Sequence, residues 1–373
     1  MPELARPEVS RRSFLKYGAG TTVAAAALLG GAACGSSAPA ASSTNVLKPR
    51  ADGDITWFTY EGYVAPKVVS AFEKTYGVTV NQAFYVNVEG MVQKVAAGVN
   101  YDLITTNSAY DRQLIAGGLL RPFDPGSIKN FGQIIPYFAK APYDDGHLRY
   151  SIPYGYGPAG IAYQKGKVSV TGSWNDLWDN PGAKGKIYVL DQQDETLGMS
   201  LIRDHDSPNS GSTSQVTTAV NNLISLKSVL GGISSDINTV IDSGEAWMSH
   251  TWAGSAYQAL TKLTGKDDWD FEWPKEGLSM GCDTLSVGTH AKSPGTALLF
   301  MEYLLQPENS YTNTMYTGYS NGTEQGEAAY RALTKDFPFL ALPDSNLYTA
   351  KWREAPTGSR LALWNQQWSR FLG

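Results

Sequence analysis

The chain has 373 residues, with 30 basic and 35 acidic side chains and a formal net charge of −5. That acid excess excludes nucleic acid as a partner, because binding it rests on a basic surface that releases counterions. Two cysteines exclude a disulfide framework, so stability must come from apolar cores, and the length suffices for two lobes.

At the start, Ser10-Arg11-Arg12-Ser13-Phe14-Leu15-Lys16 precedes an uncharged run from Tyr17 to Ala33. A spanning helix needs roughly 20 predominantly apolar residues. The run is too short for that and reads as a twin-arginine export signal over 1–33. Ala32-Ala33-Cys34 resembles the box at which bacterial lipoproteins are cleaved and diacylated, with Gly31 where Leu is usual. Cys34 is therefore the expected lipidation site. The protein is expected to work in the periplasm or at the outer face of the cytoplasmic membrane, where each buried acyl methylene contributes about 0.8 kcal/mol to anchoring. The leader carries four basic and two acidic residues, leaving 26 against 33 and a net charge of −7 in the exported part. With Cys34 acylated, Cys282 has no partner for an intrachain disulfide. Residues 34–52, rich in Ser, Ala and Pro, read as a flexible tether.

From Asp54 onward, short apolar runs alternate with helical periodicity, the pattern of an α/β sheet with crossover helices. Strands are expected at Ile55 to Tyr60, Val78 to Tyr85 and Tyr101 to Thr105. Between them lie two helices, one carrying Val68, Val69, Phe72 and Tyr76 and ending at Gly77, the other running from Val88 to about Ala97. Tyr150 to Tyr163 is crowded with Gly, Pro and Tyr and reads as a crossing between lobes, where glycine lets the backbone bend or approach another segment. Ser173 caps a helix beginning at Trp174, Ile187 to Asp191 is a strand, and a longer helix covers about Ser214 to Val229. Ser293-Pro294 opens a helix that Pro307 is expected to stop.

No convincing catalytic motif emerges. The four histidines are scattered singly. Gly318-Tyr319-Ser320-Asn321-Gly322 matches a nucleophile elbow in letters, yet no histidine follows it in the chain, so it reads as a turn. Gly155 to Gly160 matches a dinucleotide fingerprint, but strand-like Ile161-Ala162-Tyr163 follows instead of a helix. The acidic cluster Asp191 to Glu195 lacks calcium-loop spacing and reads as a polar loop. A distant carboxylate pair could still serve an exported hydrolase.

Several segments together resemble the spermidine/putrescine type of bacterial extracellular solute-binding protein. They are Tyr60-Glu-Gly-Tyr-Val-Ala-Pro66, Tyr101-Asp-Leu103, Tyr150-Ser-Ile-Pro-Tyr154, Ser173-Trp-Asn-Asp-Leu-Trp178, Trp252-Ala-Gly-Ser-Ala256, Trp273-Pro-Lys-Glu-Gly277 and Asp283-Thr-Leu285. The resemblance implies a two-lobed α/β fold of the type II periplasmic-binding-protein class, with mixed sheets, flanking helices and a hinge. It places lobe 1 at 53–157 and 283–316, and lobe 2 at 158–282 and 317–373, with crossings near Gly157, Cys282 and Thr317. It implies no catalysis, cofactor or metal, and a monomer that delivers its solute to an ABC permease and its ATPase.

By the same resemblance, Tyr60, Tyr63 and Trp252 are the aromatic walls, and Glu195 and Asp283 the ammonium acceptors. Glu61, Asn107, Gln192 and Arg353 are departures that bear on the ligand. They stand where the family has a small hydroxyl residue, Ser, a second acid and Gln, while Ala109 replaces Tyr and Gly281 replaces Trp. The expected ligand is a polyamine such as putrescine or spermidine. Arg353 would suit the carboxylate of a zwitterionic or opine-like amino compound, and Asn107 with Gln192 the hydroxyls of a sugar or polyol.

Overall fold

The structure, a computed structural model, describes residues 47–140, 142–263 and 265–373. The expected export signal, Cys34 and the tether up to residue 46 lie outside the described residues. The last part of that tether is not free chain. Leu47 is buried, the Arg50 N–H donates to the Gly295 carbonyl (3.1 Å), and the Asp52 carboxylate accepts from the backbone of Gly295 (3.0 Å) and Thr296 (2.9 Å). Asp52 thus caps the helix Pro294–Leu304, whose first N–H groups need an acceptor. The correction follows from that unmet need, which composition alone does not display.

The first sheet has strand order β2-β1-β3-β11-β4, with β1 Ile55–Thr59, β2 Val80–Phe84, β3 Leu103–Asn107, β4 Ser151–Tyr156 and β11 Cys282–Val287. β1 runs parallel to β2 and β3, which demands crossover helices, and these are Pro66–Tyr76 and Val88–Ala96. The first of them starts on its proline and ends at Gly77, whose φ of 66° is the left-handed conformation that glycine tolerates. Its buried Phe72 meets Phe300 of the helix Pro294–Leu304, and Phe300 meets Trp57 of β1, both edge-on. These rings fill one face of the sheet.

The second sheet has order β7-β6-β8-β5-β9, with β5 Ala159–Gln164, β6 Ile187–Val189, β7 Leu230–Ile233, β8 Met248–Trp252 and β9 Trp269–Glu272. The chain passes from β4 in the first sheet to β5 in the second through Gly157-Pro158 alone, then returns from β9 to β11. A two-stranded pair, β10 Ser279–Met280 with β12 Lys351–Trp352, lies on that return.

Three local expectations are corrected. Ser173 does cap its segment through a capping box with Asp176, but the turn Trp174–Leu177 is a 3-10 helix. The cluster Asp191 to Glu195 is not a loop: Gln192 is the N-cap of the helix Gln193–Arg203, and Asp194 and Glu195 occupy its first turn, where the helix dipole favours acids. Pro307 does not merely stop the preceding helix. It opens the next one, Pro307–Thr317, because a proline lacks only an N–H that the first turn leaves unpaired anyway. Among the described residues no helix is long and apolar enough to cross a membrane.

Candidate ligand-binding site

A cavity of about 210 Å3 opens where strand ends of the two sheets converge. All nine sequence-selected residues line it: Tyr60, Glu61, Tyr63, Asn107, Gln192, Glu195, Trp252, Asp283 and Arg353. Their positions follow from strand register and helix starts.

Asp283 sits on β11 directly opposite Asn107 of β3 and Gly155 of β4, beside a bulge between Asp283 and Thr284. The Asn107 side-chain amide donates to one carboxylate oxygen (2.8 Å) and the Tyr63 hydroxyl to the other (2.7 Å). Gly155 is what admits Tyr63, since a Cβ there would overlap the phenol oxygen. Both donors are neutral, so the carboxylate keeps its charge without a cation. Burial pushes its pKa up to about 6, against the pull of the Tyr63 and Asn107 hydrogen bonds. Around it, Tyr60 meets Tyr63 edge-on at 5.5 Å and tilts over Tyr85 at 4.3 Å, and Tyr63 meets Tyr154 at 5.3 Å. The π-faces there suit a cation or a methylene chain.

The opposite end is built differently. Glu195, in the first turn of Gln193–Arg203, accepts the indole N–H of Trp252 at 2.6 Å. Trp252 ends β8 opposite Ala159 of β5 and is the N-cap of the helix Ala253–Leu260. Arg353 follows β12, its N–H bonded to the Met280 carbonyl at 2.9 Å, which sets it beside Gly281. A Cβ at Gly281 would overlap the Arg353 guanidinium, so the missing side chain is the space the arginine uses. That guanidinium forms ion pairs with Glu195 and with Asp194 (3.4 Å). All three groups are buried, with Arg353, Asp194 and Glu195 only 6%, 4% and 1% exposed. Oε2 of Glu195 is buried without a hydrogen-bond donor.

Sequence reasoning passed over Tyr319, which lines the cavity, meets Tyr63 at 5.8 Å and shares a hydrogen bond with Ser255 at 3.0 Å. It belongs to the Gly-x-Ser-x-Gly string read as a turn. The signal that could have found it is position: the string follows the helix Pro307–Thr317, and Ser320 forms a bridge with Tyr156 at the β4 end, beside a crossing. Ser320 donates to Glu327 at 2.5 Å rather than facing a histidine. Glu61 lies exposed at the rim, Gln192 lines the wall, and Cys282 is buried with its thiol on the Asp283 carbonyl (3.3 Å), outside the cavity lining.

Two sheet-based lobes joined by short crossings, with an aromatic and acidic cavity between them, define a solute-binding protein of the type II periplasmic class. Comparison with known proteins agrees. The description "bacterial extracellular solute-binding protein" matches residues 67–332, and the chain belongs to that family. The spermidine/putrescine-binding periplasmic protein of Escherichia coli K12 is 30% identical over 280 residues, covering 73% of this chain and 78% of that protein. The putrescine/cadaverine-binding protein of Pseudomonas aeruginosa is 25% identical, covering 82% and 86%. Among solved structures, the substrate-binding protein PotD of a spermidine/putrescine ABC transporter from Streptococcus pneumoniae has a TM-score of 0.74 at 24% identity, covering 86% and 98%. The Tp0655 lipoprotein of Treponema pallidum has a TM-score of 0.76 at 22% identity, covering 85% and 98%.

Proposed function

We propose that this chain is the extracytoplasmic capture component of an ABC importer for a polyamine of putrescine or spermidine type. It binds the solute between the lobes and hands it to a membrane permease driven by an ATPase. The observation that carries this reading is Asp283: a half-buried carboxylate held by the neutral donors Tyr63 and Asn107, in a cavity walled by Tyr60, Tyr63, Tyr319 and Trp252. Such a group lacks a counter-charge, and an ammonium supplies one through a charge-assisted hydrogen bond of about 1.5–3 kcal/mol. A ring face under the same cation adds about 0.5–2 kcal/mol. The names of the relatives in Escherichia coli and Pseudomonas aeruginosa point to the same ligand class.

In this reading the lobes are 53–157 with 283–316 and 158–282 with 317–373, and they close by rotation about the crossings. Export by the twin-arginine route, a lipid anchor on Cys34 and a monomeric state complete the reading. They rest on the residue pattern of the leader and the resemblance to the family. The carboxylate of a zwitterionic or opine-like compound would have to compete with Asp194 and Glu195 for the Arg353 guanidinium, which disfavours that ligand.

The test is a thermal-shift screen of residues 35–373 against putrescine, spermidine, amino acids, opine-like compounds and polyols. Ligand at 100 times its Kd stabilises the fold by about 2.7 kcal/mol. The expected result is a clear shift with an amine of the polyamine class. A shift with a zwitterion or polyol alone overturns the proposal.

A further inference from the structure

Among the described residues that line the cavity, Arg353 is the sole basic one, and its cation opposes the ligand class proposed above. It is also fixed in place. Its guanidinium fills the volume that Gly281 leaves open, pairs with Glu195 and Asp194, and is almost fully buried. One guanidinium against two carboxylates leaves a formal charge of −1 at this end. Asp283, with its neutral partners, contributes −1 at the other. Glu61 is exposed at the rim, where water and salt screen it. The Asp283 carboxylate lines the cavity with neutral partners, and Glu195, which also lines it, has an Oε2 that is buried without a hydrogen-bond donor.

We propose that Arg353 sets the charge capacity of the site. It stands in for one cation, so the cavity is complementary to a dication, one ammonium group meeting Asp283 and the other the net-negative end formed by Glu195, Asp194 and Arg353. The selected ligand is therefore an aliphatic diamine, and a triamine is discriminated against because its third charge meets a buried guanidinium rather than a carboxylate. This rests on the reading that the cavity takes polyamines. The discrimination is electrostatic, because charges a few ångströms apart interact strongly when buried.

The experiment is titration calorimetry at pH 7.5 and fixed salt, giving the ratio of Kd for putrescine and spermidine. The wild-type protein is expected to bind the diamine more tightly. Arg353→Gln, which frees one carboxylate charge, is expected to move the ratio toward spermidine by about tenfold or more. Arg353→Lys keeps the cation and is expected to keep the diamine preference. A ratio unchanged in Arg353→Gln overturns the inference, as does an equal move in both variants, since a purely geometric role of the guanidinium fork would be lost in Lys as in Gln. Should Arg353→Gln fail to fold, Gln192→Glu adds a negative charge on the cavity wall without touching the buried trio. It is expected to move the ratio in the same direction, and no movement there overturns the inference too. Binding of neither amine by the wild-type protein removes the polyamine reading and this inference with it, whereas binding of both with an unmoved ratio removes the inference alone.

Discussion

Asp283 and Glu195 face one cavity with the same functional group, yet their surroundings assign them different work. Asp283 is held by a phenol and an amide, donors without charge. Glu195 is held by an indole N–H and a guanidinium that it shares with Asp194. A buried carboxylate costs free energy unless a partner compensates it. At the Glu195 end the chain supplies a cation of its own, one guanidinium for two carboxylates. At the Asp283 end it leaves the charge open, so a ligand cation gains more there. The lesson is that acids in a cleft cannot be counted as equal ligand sites: what stands behind each one decides.

The largest break in this comparison is expected from Asp283→Asn, which removes the uncompensated charge but keeps the shape. Putrescine affinity should fall roughly 10- to 150-fold by calorimetry, the value of a charged hydrogen bond. Glu195→Gln should cost less, about tenfold, because Arg353 keeps Asp194 as a partner while the end as a whole loses its net charge. Equal losses in the two variants would erase the distinction between the ends.

Acid provides a subtler separation. The Asp283 pKa is raised to about 6 by burial, so the free protein takes up a proton there as pH falls through 6. A proton on that oxygen competes with the ammonium, and putrescine binding is expected to weaken about tenfold between pH 7.5 and pH 5, while Asp283→Asn should show a flatter profile. Trp252→Phe retains a ring but drops the N–H to Glu195, and a loss of only a few-fold is expected.

Asp111 sharpens the comparison as a third kind of buried acid. It is fully buried and accepts from the hydroxyls of Thr284 (2.9 Å) and Ser151 (2.9 Å). Burial is the main cause that raises its pKa to about 7. A folded-state value above the unfolded one means a stabilising contribution fully present below the unfolded pKa and lost as pH rises through about 7. Asp111→Asn should therefore gain a few degrees of Tm at pH 8 relative to its change at pH 5, with putrescine affinity nearly untouched.

Much of this was legible in the sequence where the physics is local. Apolar runs and Gly77 mark the first strand and helix, because a helix end must satisfy its own carbonyl groups. The crossing at Gly157-Pro158 was legible because glycine lets the backbone bend between strands. The nine candidate residues came from resemblance, and all nine line one cavity. What was hidden depends on neighbours distant in the chain. Nothing near Arg353 says that Gly281 makes room for it, or that Asp194 and Glu195 will hold it. Tyr319 was hidden inside a string that resembled something else, and residues 47–52 looked like linker because their partners, Gly295 and Thr296, come far later.

The most direct test of an open acid at Asp283 is its own titration. The 13C signal of the Asp283 carboxyl carbon, assigned by its absence in Asp283→Asn, would be followed against pH with and without saturating putrescine. The account predicts a midpoint near 6 in the free protein and a fall toward or below the ordinary carboxylate range when the ammonium is bound. A midpoint that putrescine leaves in place, at a concentration that saturates binding, would contradict it.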